Sequence, residues 1–165
     1  MAWWPSIDAG QGFDFLAGGG GGHPRRITSV LCAVDRRAWE SDVVDVAADA
    51  AFANDARLTL MAVVRRPSPL VALGGQTVAS VLDAAERDAL EWLADALTLV
   101  PPAVPCGAVL RVGAPARAIA AEVADGDHDL VVLGRRPARG LARWTSVSRR
   151  VTARSDRTVV TVPVR

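Results

Sequence analysis

The sequence predicts a doubly wound α/β domain built on a five-stranded parallel sheet. Short apolar, β-rich runs alternate strictly with segments in which apolar residues recur at helical spacing. The strand-like runs are apolar throughout, which is typical of parallel strands that helices cover on both faces. Because crossovers between parallel strands are right-handed, this alternation gives a doubly wound sheet.

The predicted elements follow one another from residue 27 onward. Apolar runs predict five strands, at 27–34, 57–64, 106–112, 129–134 and 158–164. Helical spacing predicts four helices, at 40–55, 77–97, 113–127 and 146–155. Prolines and glycines predict a loop over 65–75. Ligands of doubly wound sheets bind beyond the carboxyl ends of the strands, which places Asp35, Val63 and Gly134 around one crevice.

Residues 1–26 differ in composition from the rest of the chain. They contain five consecutive glycines and four of the eight aromatic residues. Glycine-rich chain behaves as flexible coil, so we expect a disordered tail before a single domain at 27–165. Two interpretations of the tail are open: an inert extension, which includes an over-long assigned start, or aromatic anchors that dock into a partner protein.

Positive charge is concentrated in one segment. Residues 134–157 carry eight arginines against one aspartate, a local charge of +7, whereas the whole chain carries +1. The chain has no lysine, so every basic side chain is a guanidinium suited to bidentate oxyanion binding, although arginine-rich codon usage explains this equally well. The segment 134–150 has a single aromatic residue, Trp144, and no recognised module, so we do not expect nucleic acid as a partner.

Several other classes of function are not favoured. The chain has no signal-peptide pattern and no apolar run near 18 residues, so we expect no membrane span. Cys32 and Cys106 have neither metal-ligand nor disulfide-framework spacing, which favours a reduced cytoplasmic location and no resident metal. The stretch 125–129, "DGDHD", predicts a solvated turn rather than a calcium loop. Neither histidine has neighbours in sequence that suggest catalysis.

Four stretches together resemble the universal stress protein family over residues 27–165: "VLCAVD" (30–35), "LTLMAVV" (58–64), "RVGAPARAIAAEVADGDHDLVVLGRR" (111–136) and "TSVSRRVTARSDRTVVTVPV" (145–164). The resemblance implies a flavodoxin- or Rossmann-like α/β protein. Many members bind ATP, many form homodimers through the last strand, here 158–164, and most act in the stress response without a defined catalytic turnover.

In the ATP-binding members the loop after the fourth strand reads G-x(2)-G-x(9)-G-[ST]. Gly134 and Ser146 match the first glycine and the final hydroxyl, and Gly140 matches a common additional glycine. Pro137 stands in place of the second glycine, Thr145 replaces the third, and the segment between them is two residues shorter. Proline removes an amide donor and fixes φ, so the loop has lost features that phosphate binding uses.

The remainder of the family's site is better preserved. The resemblance places Asp35 against the nucleotide, Val63 in the adenine pocket and Leu133 before the loop. Arginines of the loop could replace the lost glycines as a phosphate clamp, or they could form a solvated face, and both interpretations are open. The candidate nucleotide-contacting residues are Ala33, Asp35, Val63, Leu133, Gly134, Arg135, Arg136, Gly140, Thr145, Ser146 and Val147.

These observations predict a stress-response factor without catalytic activity that binds ATP weakly or atypically, because its glycine loop is degraded. The alternative is a nucleotide-independent interaction protein that works through its dimer surface and its tail. An ATP-hydrolysing enzyme is the least favoured interpretation, since the sequence offers no catalytic base beyond Asp35.

Overall fold

A computed structural model describes residues 26–35, 42–75, 77–135 and 147–163. The predicted tail and most of the arginine-rich loop lie outside these ranges. The strands are β1 (Ser29–Val34), β2 (Arg57–Val64), β3 (Cys106–Val112), β4 (Leu130–Arg135) and β5 (Thr158–Pro163). The helices are α1 (Val43–Ala53), α2 (Val78–Thr98), α3 (Pro115–Asp125) and α4 (Val147–Thr152), with a short 3-10 helix at Pro69–Gly74.

The strands form one parallel sheet in the order β3-β2-β1-β4-β5. This confirms the predicted doubly wound α/β fold with five parallel strands. The segment 65–75 is only partly a loop, because six of its residues form the 3-10 helix. A proline at the first position of that helix costs nothing, since its missing N–H has no partner within a first turn.

Helices cover both faces of the sheet, and the alternation of side chains along each strand supplies both cores. On β1, Val30 and Cys32 point to the face where α1 and α2 pack, whereas Leu31 points to the face of α3 and α4. Three alanines of α1 are almost completely buried and let that helix lie close to the sheet: Ala47, Ala48 and Ala51. Burial on both faces explains why the central strands β1 and β4 are almost wholly apolar.

The order of the strands creates a switch point between β1 and β4. The chain leaves β1 through α1 toward β2 on one side, and leaves β4 through α4 toward β5 on the other side. The two connections diverge, so neither of them passes over the carboxyl ends of β1 and β4. A crevice opens there, as is typical of doubly wound sheets.

The opposite, amino-terminal edge of the sheet is closed by a polar cluster, which we call the amino-edge cluster: Thr28, Ser29, Arg57, His128 and Asp129. The carboxylate of Asp129 accepts hydrogen bonds from the Thr28 amide and hydroxyl, both at 2.9 Å, and from the Ser29 amide at 3.2 Å. Arg57 Nε donates to Ser29 Oγ at 3.0 Å and its Nη2 donates to the Gly126 carbonyl at 2.9 Å. These bonds connect three strand ends that are distant in sequence.

The prediction of a solvated turn at 125–129 is wrong for His128. Its side chain is only 2% exposed, and its Nδ1 lies 2.8 Å from Ser29 Oγ. Because the Ser29 oxygen accepts from Arg57, the serine hydroxyl hydrogen is available for Nδ1 of a neutral imidazole. Burial lowers the pKa of His128, which favours this neutral form. The partner of His128 is 99 residues away in sequence, so local sequence patterns could not reveal it.

Candidate functional site

A crevice with a cavity volume of about 180 Å³ lies at the carboxyl edge of the sheet. Its floor is set by strand pairing, because Ala33 on β1 is in register with Leu133 on β4 and with Met61 on β2. The described residues that line the crevice are Ala33, Val34, Asp35, Val63, Arg65, Pro115, Ile119, Leu133, Gly134, Val147 and Ser148.

The crevice has an apolar interior and a charged mouth. Ile119 and Leu133 are buried, and Ala33, Val63 and Val147 are half-buried beside them. Asp35 and Arg65, which directly follow β1 and β2, are both exposed at the opening. An apolar cavity with a few polar groups at its rim is the usual form of a small-molecule site, and the flat face of a base is the kind of group that such an interior accepts.

The structure brings six of the predicted contact residues together at this crevice: Ala33, Asp35, Val63, Leu133, Gly134 and Val147. Arg135 ends β4, is exposed, and is not among the lining residues. The others lie outside the described residues: Arg136, Gly140, Thr145 and Ser146, together with Pro137, Arg139 and Arg143 of the loop.

Sequence analysis missed five lining residues. Val34 lies between the predicted Ala33 and Asp35, and Arg65 lies two positions after the predicted Val63, so each strand end contributes more than one position. Pro115 and Ile119 belong to the stretch 111–136 that carries the family resemblance, and their spacing places both on the face of α3 that meets the crevice. Ser148 lies on the buried side of α4. The four-residue spacing of Pro115 and Ile119 at the start of a helix could have identified both as site residues from the sequence.

A larger groove, with a cavity volume of about 710 Å³, adjoins the crevice and shares Arg65, Pro115 and Val147 with it. Its lining residues come from the ends of β2 and β3, from the first turn of α3 and from α4. We call it the arginine groove after five of its members: Arg65, Arg66, Arg117, Arg150 and Arg154.

The crevice has room for one ring-sized group rather than for a whole drug-sized ligand. Its volume is below the roughly 300–1,000 Å³ that encloses most of a drug-sized ligand. The apolar interior suits a flat ring, and the Asp35 carboxylate at the mouth can accept hydrogen bonds from hydroxyl groups of a ligand. Among the described residues, no group of three or more His, Cys, Asp or Glu side chains lies close enough together to hold a metal ion.

None of the described helices is long and apolar enough to cross a membrane. A sequence model of the universal stress protein family matches residues 26–163. No curated protein sequence matches the chain significantly.

Solved structures with the same fold include universal stress protein UspA from Lactobacillus plantarum, which is 21% identical with a TM-score of 0.70 and covers 84% of this chain and 99% of its own. A universal stress protein in complex with cAMP is 23% identical with a TM-score of 0.67, over 86% of this chain and 100% of its own. A universal stress protein from Archaeoglobus fulgidus in complex with dAMP is 19% identical with a TM-score of 0.56, over 83% of this chain and 98% of its own.

Proposed function

Because the chain belongs to the universal stress protein family, we propose that it is a non-catalytic stress-response factor that binds an adenine nucleotide at the crevice. One observation carries this proposal. Six residues that the family resemblance assigns to nucleotide contact, from four separate elements or strand ends, line the same apolar crevice. Structures of family members in complex with cAMP and with dAMP support an adenine nucleotide as the ligand class.

In the proposed complex the base lies between Val63 and the buried side chains of Ile119 and Leu133. Asp35 at the crevice mouth accepts hydrogen bonds from the ribose, and the phosphates extend past Gly134 toward the loop after β4. That loop carries Pro137 and Thr145 where the ATP-binding members have glycines. Fewer amide donors then face the phosphates, so we expect weak or atypical binding of ATP.

The absence of catalytic turnover is supported by the composition of the lining. Among the described residues around the crevice, Asp35 is the one carboxylate and Arg65 the one basic side chain, and no histidine or cysteine accompanies them. Phosphoryl transfer needs a group that orients the nucleophile, besides metal or basic side chains on the transferred phosphate. A single carboxylate at the mouth of the crevice is better suited to orienting a bound ligand.

The test is calorimetric titration of the full chain with Mg-ATP and, separately, with AMP. We expect both to bind, and we expect Val63→Trp, which fills the crevice, to weaken both by about tenfold or more. Leu90→Trp is the matched control, because Leu90 is exposed on α2 and its enlargement leaves the crevice unchanged. If neither nucleotide binds at millimolar concentration, or if Val63→Trp binds as tightly as the control, the crevice is not the nucleotide site.

A second candidate function is a nucleotide-independent interaction protein that acts as a homodimer. The supporting observation is the edge strand β5, which pairs only with β4 among the described strands. Val159 and Val160 are only half-buried there, and an apolar open edge invites pairing with a second copy. We expect Thr161→Lys, which places like charges across such an edge, to give monomers in light scattering, whereas Thr98→Lys on α2 leaves the mass unchanged.

The two candidates differ in their response to restored glycines. If the protein has lost nucleotide binding, Pro137→Gly combined with Thr145→Gly should convert an inert protein into one that binds ATP. If the protein already binds nucleotide, the same change should strengthen an existing affinity. An unchanged titration with ATP would show that these two positions do not control phosphate binding.

A further inference from the structure

We infer that the arginine groove binds an oligophosphate chain, either as a free polyphosphate or as the phosphate tail of a nucleotide whose base lies in the crevice. The inference concerns residues outside the glycine loop. Only its nucleotide form depends on the proposed function.

The fold brings the five arginines together from distant parts of the sequence. Arg65 and Arg66 follow β2, Arg117 lies in the first turn of α3, and Arg150 and Arg154 lie on α4 and just after it. The packing of α3 against α4 and the shared carboxyl edge of the sheet place all five around one groove. All five side chains are exposed, so their guanidinium groups can reach a ligand from solvent.

The groove is positively charged and has no compensating acid among the described residues that line it. Within the described part of the chain, none of the five arginines forms an ion pair, and the polar contact that the structure records for them joins Arg154 Nη1 to the Arg150 carbonyl at 3.2 Å. Arg157, at the other edge of the sheet, instead lies 3.1 Å from Asp127 and 3.7 Å from Asp129. Clustered like charges repel one another, and a multiply charged anion removes that repulsion.

A chain of phosphate groups fits the chemistry of the lining. A guanidinium presents a planar fork of donors that matches two oxygens of one phosphate group. Several guanidinium groups along one groove match a chain that carries negative charge on successive groups. Single-stranded nucleic acid also carries such charge, but its binding sites use aromatic side chains on which bases stack, and no aromatic residue is among the described residues that line this groove.

Size and continuity link the groove to the crevice. The crevice, at about 180 Å³, has room for one ring-sized group, and the groove beside it encloses about 710 Å³. Arg65, Pro115 and Val147 line both, so the crevice and the groove adjoin at the carboxyl edge. A nucleotide whose base occupies the crevice and whose first phosphates pass Gly134 can therefore place the terminal part of its phosphate chain in the groove.

The test uses inorganic tripolyphosphate as the probe, titrated calorimetrically into the full chain at near-physiological salt. The groove variant is Arg117→Gln with Arg154→Gln, because neither residue lines the crevice. The control is Arg26→Gln with Arg87→Gln, which removes the same charge from two exposed positions outside the groove. We expect the groove variant to bind tripolyphosphate about tenfold or more weakly than wild type, and the control to change by less than about threefold.

Val63→Trp distinguishes the two sources of the phosphate chain. If the groove takes free polyphosphate, this variant keeps tripolyphosphate binding while it loses ATP. If the groove takes a nucleotide tail, adenosine tetraphosphate binds wild type more tightly than ATP, and the groove variant abolishes that difference.

The inference is overturned if wild type binds neither tripolyphosphate nor adenosine tetraphosphate at millimolar concentration. It is also overturned if the groove variant and the control bind both equally well. Either result leaves the proposed function intact provided that AMP binding remains sensitive to Val63→Trp, so the two failures can be told apart. Heat denaturation of every variant checks that the exposed substitutions preserve the fold.

Discussion

The charged residues at the two edges of the sheet differ in the partners that surround them. At the amino-terminal edge, Arg57 and Arg157 are each held by specific acceptors, and Asp129 accepts three hydrogen bonds from β1 and the residue before it. At the carboxyl edge, five arginines surround a groove that has no acid among its described lining residues. Within the described part of the chain, the polar groups of the amino-terminal edge are satisfied by one another, whereas the five arginines of the groove have no acidic partner.

This contrast means that substitutions at the two edges should have different consequences. Changes in the amino-edge cluster should lower stability and leave ligand binding unaltered. Changes in the arginine groove should alter ligand binding and leave stability almost unaltered.

The largest effect on stability is expected from Asp129→Ala. Burial opposes ionisation of this carboxyl, but hydrogen bonds from Thr28 and Ser29 outweigh it and lower the pKa of Asp129. Removing the acceptor deletes three hydrogen bonds, from the Thr28 amide and hydroxyl and from the Ser29 amide, so the free energy of unfolding should fall by about 2–3 kcal/mol. Urea unfolding measures this free energy. Asp88→Ala, on the exposed side of α2, is the control and should change the free energy of unfolding by less than about 0.5 kcal/mol.

The pH dependence of the same variant has a definite sign. A carboxyl whose pKa is lowered by folding stabilises the protein above its unfolded pKa, and this contribution is lost as the pH falls through the lowered value. The difference between wild type and Asp129→Ala should therefore be full at about pH 7 and small at about pH 2.5. An equal difference at both values would mean that the ionised carboxylate is not what stabilises the edge.

A smaller loss is expected from Gly126→Ala. A Cβ at this position would lie 2.5 Å from His128 Nε2 and 3.0 Å from the Glu122 carbonyl oxygen. The imidazole must move and weaken its bond to Ser29, at a cost of about 1–2 kcal/mol in the free energy of unfolding. Gly107→Ala is the control, because its Cβ would meet no atom within 4 Å. Identical unfolding curves for the two variants would show that the contact between His128 and Ser29 does not contribute to stability.

The smallest effect on stability is expected at the carboxyl edge. The triple change of Arg65, Arg117 and Arg154 to Gln should alter the free energy of unfolding by no more than about 0.5 kcal/mol, or raise it, since it relieves repulsion. Arg57→Gln removes one charge but breaks two hydrogen bonds, and it should cost more than the triple change. If the triple variant is the less stable of the two, the groove arginines serve the fold.

The fold and the floor of the crevice could be predicted because both follow from local patterns. Apolar strands in alternation with helices determine a doubly wound sheet, and the residues at the ends of its strands, such as Asp35 and Gly134, then meet at the switch point. The ends of strands can be located in a sequence. For this reason, all of the predicted contact residues that the structure describes, except Arg135, line the crevice.

The arginine groove and the amino-edge cluster could not be predicted in the same way. The distribution of charge along the sequence predicts an anion-binding surface at residues 134–157. This segment contains Arg150 and Arg154 but not Arg65, Arg66 or Arg117. Those three join the groove only because β2 ends and α3 begins at the same edge of the sheet. His128 likewise is predicted to face solvent from "DGDHD", whereas the pairing of β1 with β4 brings Ser29 to it. Contacts between distant segments carry no local signal.

The most direct test of the contrast is a titration of isotope-labelled full chain with Mg-ATP to millimolar concentration, followed by amide NMR. We expect saturable shifts at the amides of Asp35, Val63 and Gly134, which belong to the carboxyl edge, and unchanged amides at Thr28, Arg57 and Asp129. Weak binding is detectable in this way. Shifts confined to the amino edge, or no shift at either edge, would contradict the account.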